Sequence, residues 1–343
     1  MFMRPLRTLL ASGCILGAGL TLARAHAASP QAPLTSVQVT ILPGVQRRID
    51  HLAVDAAGRR LFVAALGNHT LEVLDVAGGK RITTIPGLNE PQGVAYLPSL
   101  HRIVVATRAG GTVTFFDDAT YQPVATIPNL PDADNLRVDA EAKQLYVGHG
   151  DGALGVIDPV TTKLVADIPL PGHPESFRLE EGGPRIFVNV PPTREVLVVD
   201  RVRRSVVSRI PLGPLAANYP MSLDEAGHRL FVGARNPARL LVLDTGTLQA
   251  IATVPCAGDT DDLFYDAQRD RVYVIGGEGY LDVFDAAPTA RFARLARIAT
   301  RAGARTGQWS AELDRLFVAS PLRDARPADI TTFGPPVPGE GIR

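Results

Sequence analysis

Apolar and polar positions alternate along most of the chain in short runs, broken at regular intervals by Gly, Asp, Asn and Pro. The stretch Ile49–Glu90 shows the unit. Asp50–Val54 is short and apolar-rich. Asp55–Gly58 is a turn cluster, and Leu61–Ala64 is a second apolar run. Gly67–His69 reads as a hairpin loop, Thr70–Leu74 alternates with period two, and Ala77–Gly79 turns the chain again. Arg81–Ile85 is a fourth run, stopped by Pro86-Gly87. Period-two runs bounded by turn residues predict strands. We label the four runs a, b, c and d.

The unit recurs. The apolar residue opening each b run falls at Leu61, Ile103, Leu145, Ile186, Leu230, Val272 and Leu316, at intervals of 42, 42, 41, 44, 42 and 44 residues. Four strands in a repeat of that length predict a propeller blade, whose two apolar faces must be covered by neighbours in a closed ring. The last repeat offers a (Gly307–Ser310), b (Leu316–Ala319) and c (Asp329–Phe333), but no d. The segment Val37–Gly44 resembles a d strand and precedes the first full repeat. Placing it in the last blade gives an all-β, seven-bladed β-propeller of four-stranded antiparallel blades, six continuous and one composite. That clasp also hides the edge strands at the seam.

Met1–Ala27 reads as a secretory signal, with Arg4 and Arg7 ahead of the apolar run Leu9–Leu22 and an A-x-A site at Ala25–Ala27. The expected organisation is signal 1–27, short linker 28–35, propeller 36–333 and a loose Pro- and Gly-rich tail 334–343. The expected location is periplasmic or secreted, with no membrane span in the mature chain. The whole sequence has 35 basic and 35 acidic residues; loss of Arg4, Arg7 and Arg24 leaves a formal charge of −3. Such a charge gives no polyelectrolyte drive toward nucleic acid. Cys256 is the single cysteine beyond the signal, so no disulfide can close the ring within one chain. We expect a monomer.

In an antiparallel blade the d-to-a and b-to-c connections share one rim. Eleven residues before the b marker stand Asp50, Gln92, Asp134, Glu175, Tyr219, Asp261 and Arg305. Ten before it stand His51, Gly93, Asn135, Ser176, Pro220, Asp262 and Thr306. If the chain is extended there, residues two apart share a side. Asp132 with Asp134, Asp259 with Asp261, His173 with Glu175 and Glu90 with Gln92 would then form pairs aimed at the central funnel. The framework repeats while these positions vary, which is what an asymmetric ligand site needs. The candidate ligand-binding residues are His51, Gln92, Asp134, Asn135, Glu175, Asp261, Asp262 and Arg305. Asp and Asn at strand ends also serve as plain turn formers. Arg108, Arg194, Arg235 and Arg323 fall in b-to-c loops and read as solvated charges.

The repeats resemble the YVTN-type, or YncE-like, propeller family. The resemblance rests on Asp55 followed by Arg60-Leu61-Phe62-Val63, on Leu71–Asp75, and on Thr84-Ile85-Pro86. Related runs are Gln144–Val147 with Leu154–Asp158 and Arg271–Val274 with Leu281–Asp285. Blade four departs from the pattern at Pro191-Pro192. The resemblance implies an exported seven-bladed propeller and no single activity. The first functional reading is a binding protein for a small polar molecule or a periplasmic protein at the d-to-a funnel, with no cofactor. The alternative is a metal-assisted hydrolase or lyase of lactonase type. Asp134, Glu175 and Asp261 would hold a divalent metal there, with His51 as acid or base.

Overall fold

The structure, a computed structural model, describes residues 1–2, 33–287 and 291–336. The expected signal falls almost entirely outside the described residues, as does the tail beyond residue 336. The described residues from 33 onward make one compact unit. Within it, 28 strands form seven four-stranded antiparallel sheets. The protein is a seven-bladed β-propeller.

The first blade runs β2 (Leu52–Asp55), β3 (Arg60–Ala65), β4 (Thr70–Asp75) and β5 (Lys80–Ile85), from the channel outward. The last blade is composite, as the sequence predicts. Strand β1 (Thr35–Ile41) pairs with β28 (Asp329–Gly334), which continues inward to β27 (Arg315–Ser320) and β26 (Thr306–Ser310). Its register sets Thr40 opposite Ile330 and Ile41 opposite Asp329. In every continuous blade the c–d pairing shifts register, as between Val73 and Leu74. Such bulges add twist to the outermost strand, where a wedge-shaped blade has to splay.

The apolar faces divide into seven buried clusters, one at each blade interface. The seam between blades seven and one, with Leu42, Leu61, Phe317 and Ile330, is packed like the others. Closure therefore rests on burial, at roughly 25 cal/mol per Å² of apolar surface. Cys256 is a buried free thiol within the interface of blades five and six.

The recurring Asp and Arg of the repeat are latches for this ring. Asp55 accepts a hydrogen bond from the Gly58 backbone N–H and one from Arg60 Nε, both at 2.8 Å. Arg60 reaches on to the next blade, where it pairs with Asp118 at 3.0 Å. Arg185 repeats the device by bonding Glu180 in its own blade and the Thr245 carbonyl in the next. The residues that carry the family resemblance thus carry structure.

Candidate functional site

The strands nearest the axis begin at the d-to-a rim and run toward the a-to-b turns, so each position along them forms a layer of the channel. Three layers matter.

The outermost is a ring of ion pairs. Arg48 lies 2.9 Å from Asp50 and 3.9 Å from Asp261. Arg305 lies 3.1 Å from Asp261 and 3.0 Å from Asp259. Arg235, which the sequence suggests is solvated, also bonds Asp261 and stacks on Tyr219 at 3.9 Å from the ring centre. Asp261 and Arg305 are therefore brought together, but they bond each other.

The predicted Asp-x-Asp pairs do not form a common acidic face. Asp132 and Asp259 have positive φ, 50° and 53°, and the chain kinks there instead of running extended. The Asp132 side chain is 43% exposed and turns to Arg108, while the Asp134 side chain is only 9% exposed. Blade four lacks this kink, and there the prediction holds. His173 and Glu175 converge with Asp134, each offering a ligand atom within 4.8 Å of the others. Gln92 is buried in the same layer.

Asp134 and Glu175 hold more negative charge than their surroundings neutralise. Burial pushes the Asp134 carboxyl up to about 6; His51 opposes the shift and Asp50 adds to it. Burial, with Asp134 and Asp261 nearby, pushes Glu175 well above its ordinary value. Asp134 Oδ1 is buried and has no hydrogen-bond partner among the described residues.

The second layer is a partition. His51 Nδ1 faces Asp262 at 3.4 Å, and Nε2 lies 3.6 Å from Asp134 and 3.2 Å from Asn135 Nδ2. Burial alone would lower the imidazole pKa. Asp262, then Asp50 and Asp134, overcome this and push it up to about 10. At neutral pH His51 is an imidazolium whose two N–H groups point at carboxylates; Asn135 can donate to Nε2 only when the ring is neutral. Of the acid and base roles expected for His51, an imidazolium at neutral pH can fill only the acid one, since a base must be unprotonated at working pH. Gly93 completes the layer because nothing larger fits. A Cβ there would sit 2.0 Å from the Asp134 carbonyl oxygen.

The third layer was missed in the sequence. Eight residues before the b marker stand Ala53, Ala95, Arg137, Arg178, Ser222, Phe264 and Gln308. All seven line a cavity of about 430 Å³, roofed by His51, Asn135 and Asp262, with Tyr96, Val138, Tyr265 and Trp309 toward the a-to-b turns. The available signal was the strand period: residues two beyond the His51 layer face the axis as well.

No family model matches the chain, and no curated protein matches it either. Among solved structures it is similar to a chain of Kuenenia stuttgartiensis hydrazine synthase, with a TM-score of 0.74 and 15% identity over 85% of this chain and 98% of that one. At that identity the likeness is one of fold, and it agrees with the seven-bladed ring. Among the described residues no helix is long and apolar enough to cross a membrane.

Proposed function

We propose that the protein is an exported propeller, of the YVTN type its repeats resemble, that binds a small polar ligand at the d-to-a end of its channel. The group presented to Asp134 and Glu175 is cationic. The observation that carries this reading is the buried Asp134 Oδ1, which accepts no hydrogen bond among the described residues and has His51 Nε2 no nearer than 3.6 Å, beside Glu175, whose carboxyl burial and the neighbouring acids push well above its ordinary value. An ammonium group would supply both the missing charge and the missing donors. The test is a melting and calorimetric screen of ethanolamine, putrescine and choline against the wild type and Asp134→Asn. A saturable stabilisation by at least one amine, weakened tenfold or more in the variant, is expected. Equal binding by both proteins, or no binding by any amine, would overturn it. A periplasmic partner whose capture is lost in the same variant would instead assign the rim to a protein.

A divalent ion is the second reading, favoured by one further observation. His173 Nδ1 lies 2.6 Å from the Gly150 carbonyl oxygen, so its N–H is committed there and Nε2 is left free to ligate. The ligand set would be Asp134, His173 and Glu175. Asp261 drops out because Arg235 and Arg305 hold it. A bound ion would polarise a lactone carbonyl or activate water, the chemistry of the hydrolase alternative. Elemental analysis of protein purified without chelator decides this: stoichiometric metal, lost in Asp134→Asn, supports it, and metal-free wild type rejects it.

A further inference from the structure

On the far side of His51 the balance of charge reverses. Arg137 and Arg178 project into the cavity, and neither guanidinium pairs with a carboxylate among the described residues. Arg137 is spent on its surroundings. Its Nε donates to the Phe177 carbonyl at 3.1 Å, Nη1 to the Leu136 carbonyl at 2.7 Å, and Nη2 to Asn135 Oδ1 at 2.9 Å and Ser176 Oγ at 3.3 Å. Arg178 is not. Its Nη1 donates to Ser176 Oγ at 3.2 Å and to the Phe177 carbonyl at 3.0 Å, while Nε and Nη2 make no hydrogen bond among the described residues. That free edge is the fork that takes a carboxylate through two parallel bonds.

The two cations also strain each other. Burial, and then the Arg137 charge, hold Arg178 well below the usual guanidinium range. Asp262 is the acid both feel most, but it faces His51 at 3.4 Å and accepts the Gly307 N–H at 3.0 Å. Both arginines are half-buried, so the free edge of Arg178 faces the open space of the cavity and is accessible to an anion. One part of the cavity wall is apolar and aromatic, with Phe264, Tyr265, Trp309, Ala53 and Ala95, while Ser222 and Gln308 are polar. A volume of about 430 Å³ falls within the range of small-molecule sites.

We propose that this cavity, entered from the a-to-b face, binds a small organic monocarboxylate. The carboxylate sits on the Nε–Nη2 edge of Arg178 with Arg137 beside it, and a compact apolar body lies against Phe264 and Trp309. Asp262 in the roof admits one negative charge and disfavours a second. The site is separate from the rim site and does not depend on it.

Trp309 is the only tryptophan of the chain and lines this cavity, so its emission reports occupancy directly. The probe is cyclohexanecarboxylate, titrated at low ionic strength. Its uncharged isostere cyclohexanecarboxamide and sodium sulfate are run in parallel. Wild-type protein gives a saturable change with the carboxylate and binds the carboxamide at least tenfold more weakly. Arg178→Gln weakens the carboxylate tenfold or more. Arg178→Lys, which keeps the charge but not the fork, recovers only part of the loss. Asp134→Asn, on the other side of His51, leaves the carboxylate affinity within twofold while removing the amine response at the rim, so the two proposals fail separately. If Arg178→Gln does not fold, Ser222→Leu, which fills the cavity and gives up the hydrogen bond Ser222 Oγ accepts from the Tyr265 N–H at 3.1 Å, abolishes binding instead. The proposal is overturned by an unsaturable response, by carboxamide binding as tightly as carboxylate, or by undiminished affinity in a folded Arg178→Gln or Ser222→Leu. Sulfate binding as tightly as the carboxylate would make this an inorganic-oxyanion site and overturn the organic assignment.

Discussion

Above His51 the channel carries Asp134 and Glu175, two carboxyls short of positive charge. Below it, Arg137 and Arg178 are two guanidiniums short of negative charge. Three positions of the chain separate Asp134 from Arg137 and Glu175 from Arg178, so blades three and four contribute to both layers. The comparison shows how a propeller builds sites. The b, c and d strands fix the backbone, so each successive position of strand a becomes a layer that can be set blade by blade. Opposite charges can then be stacked in one channel, provided that something between them prevents mutual cancellation. Here that partition is His51 with Asn135 and Asp262.

The largest effect should come from breaking the partition. His51→Leu removes the cation between Asp134 and Asp262 and leaves both acids buried without it. Removing one member of a buried charge pair costs about 3–5 kcal/mol, and the melting temperature of His51→Leu should fall by several degrees. The pH dependence sharpens the point. A histidine whose folded pKa is raised contributes stability that is fully present below its unfolded value, near 6.5. That contribution is lost as pH rises through about 10. The gap between wild type and variant should therefore narrow from pH 6 to pH 10. A constant gap would mean that the ring acts through packing alone and that the two halves of the channel are not held apart by charge.

The acidic half makes an opposite and smaller prediction. Asp134 is raised to about 6, so its neutral form is the one favoured by the fold. The stability associated with that proton is present below the unfolded pKa, near 3.9. It is lost as pH rises through about 6. In metal-free protein Asp134→Asn mimics the protonated form at every pH. Its melting temperature relative to wild type should rise between pH 4 and pH 8, by the equivalent of about 1–3 kcal/mol. No relative gain would show that His51 and Arg48 already neutralise this carboxylate, which would remove the case for a cationic ligand at the rim.

The ring and its seam were legible in the sequence because the framework repeats at short range. A Leu, Phe and Val at the same place in each unit, with turn residues between, dictates the same strand each time. Val37–Gly44 could be assigned to the last blade because a d strand without partners has one vacancy to fill. The site was legible in composition but not in geometry. Asp50, His51, Asp134, Asn135 and Asp262 were correctly placed near the axis. Which of them bond is decided across the ring, between blades one, three and six, and no local pattern records that. The Asp132 and Asp259 pairings failed because a single residue of positive φ reverses the side on which a side chain emerges. Arg137 and Arg178 lie two residues beyond the His51 layer, where the strand period carries the same facing but no change of composition marks a site.

The smallest effect tests whether the rim is a network or a set of replaceable contacts. Arg305→Gln removes one guanidinium from Asp259 and Asp261, but Arg235 still bonds Asp261 and lies 3.5 Å from Asp259, and Arg48 lies 3.9 Å from Asp261. Partly exposed pairs of this kind contribute about 0–1 kcal/mol, and redundancy lowers the figure further. The melting temperature of Arg305→Gln should stay within about 2 °C of wild type, and carboxylate binding below His51 should not change. Arg305 also sits where the last blade enters the channel, between the closing seam and blade six. A loss of stability comparable to that of His51→Leu would mean that the outer ring of ion pairs couples the composite blade to its neighbour. Charge at the rim, and not only the apolar seam, would then hold the propeller shut.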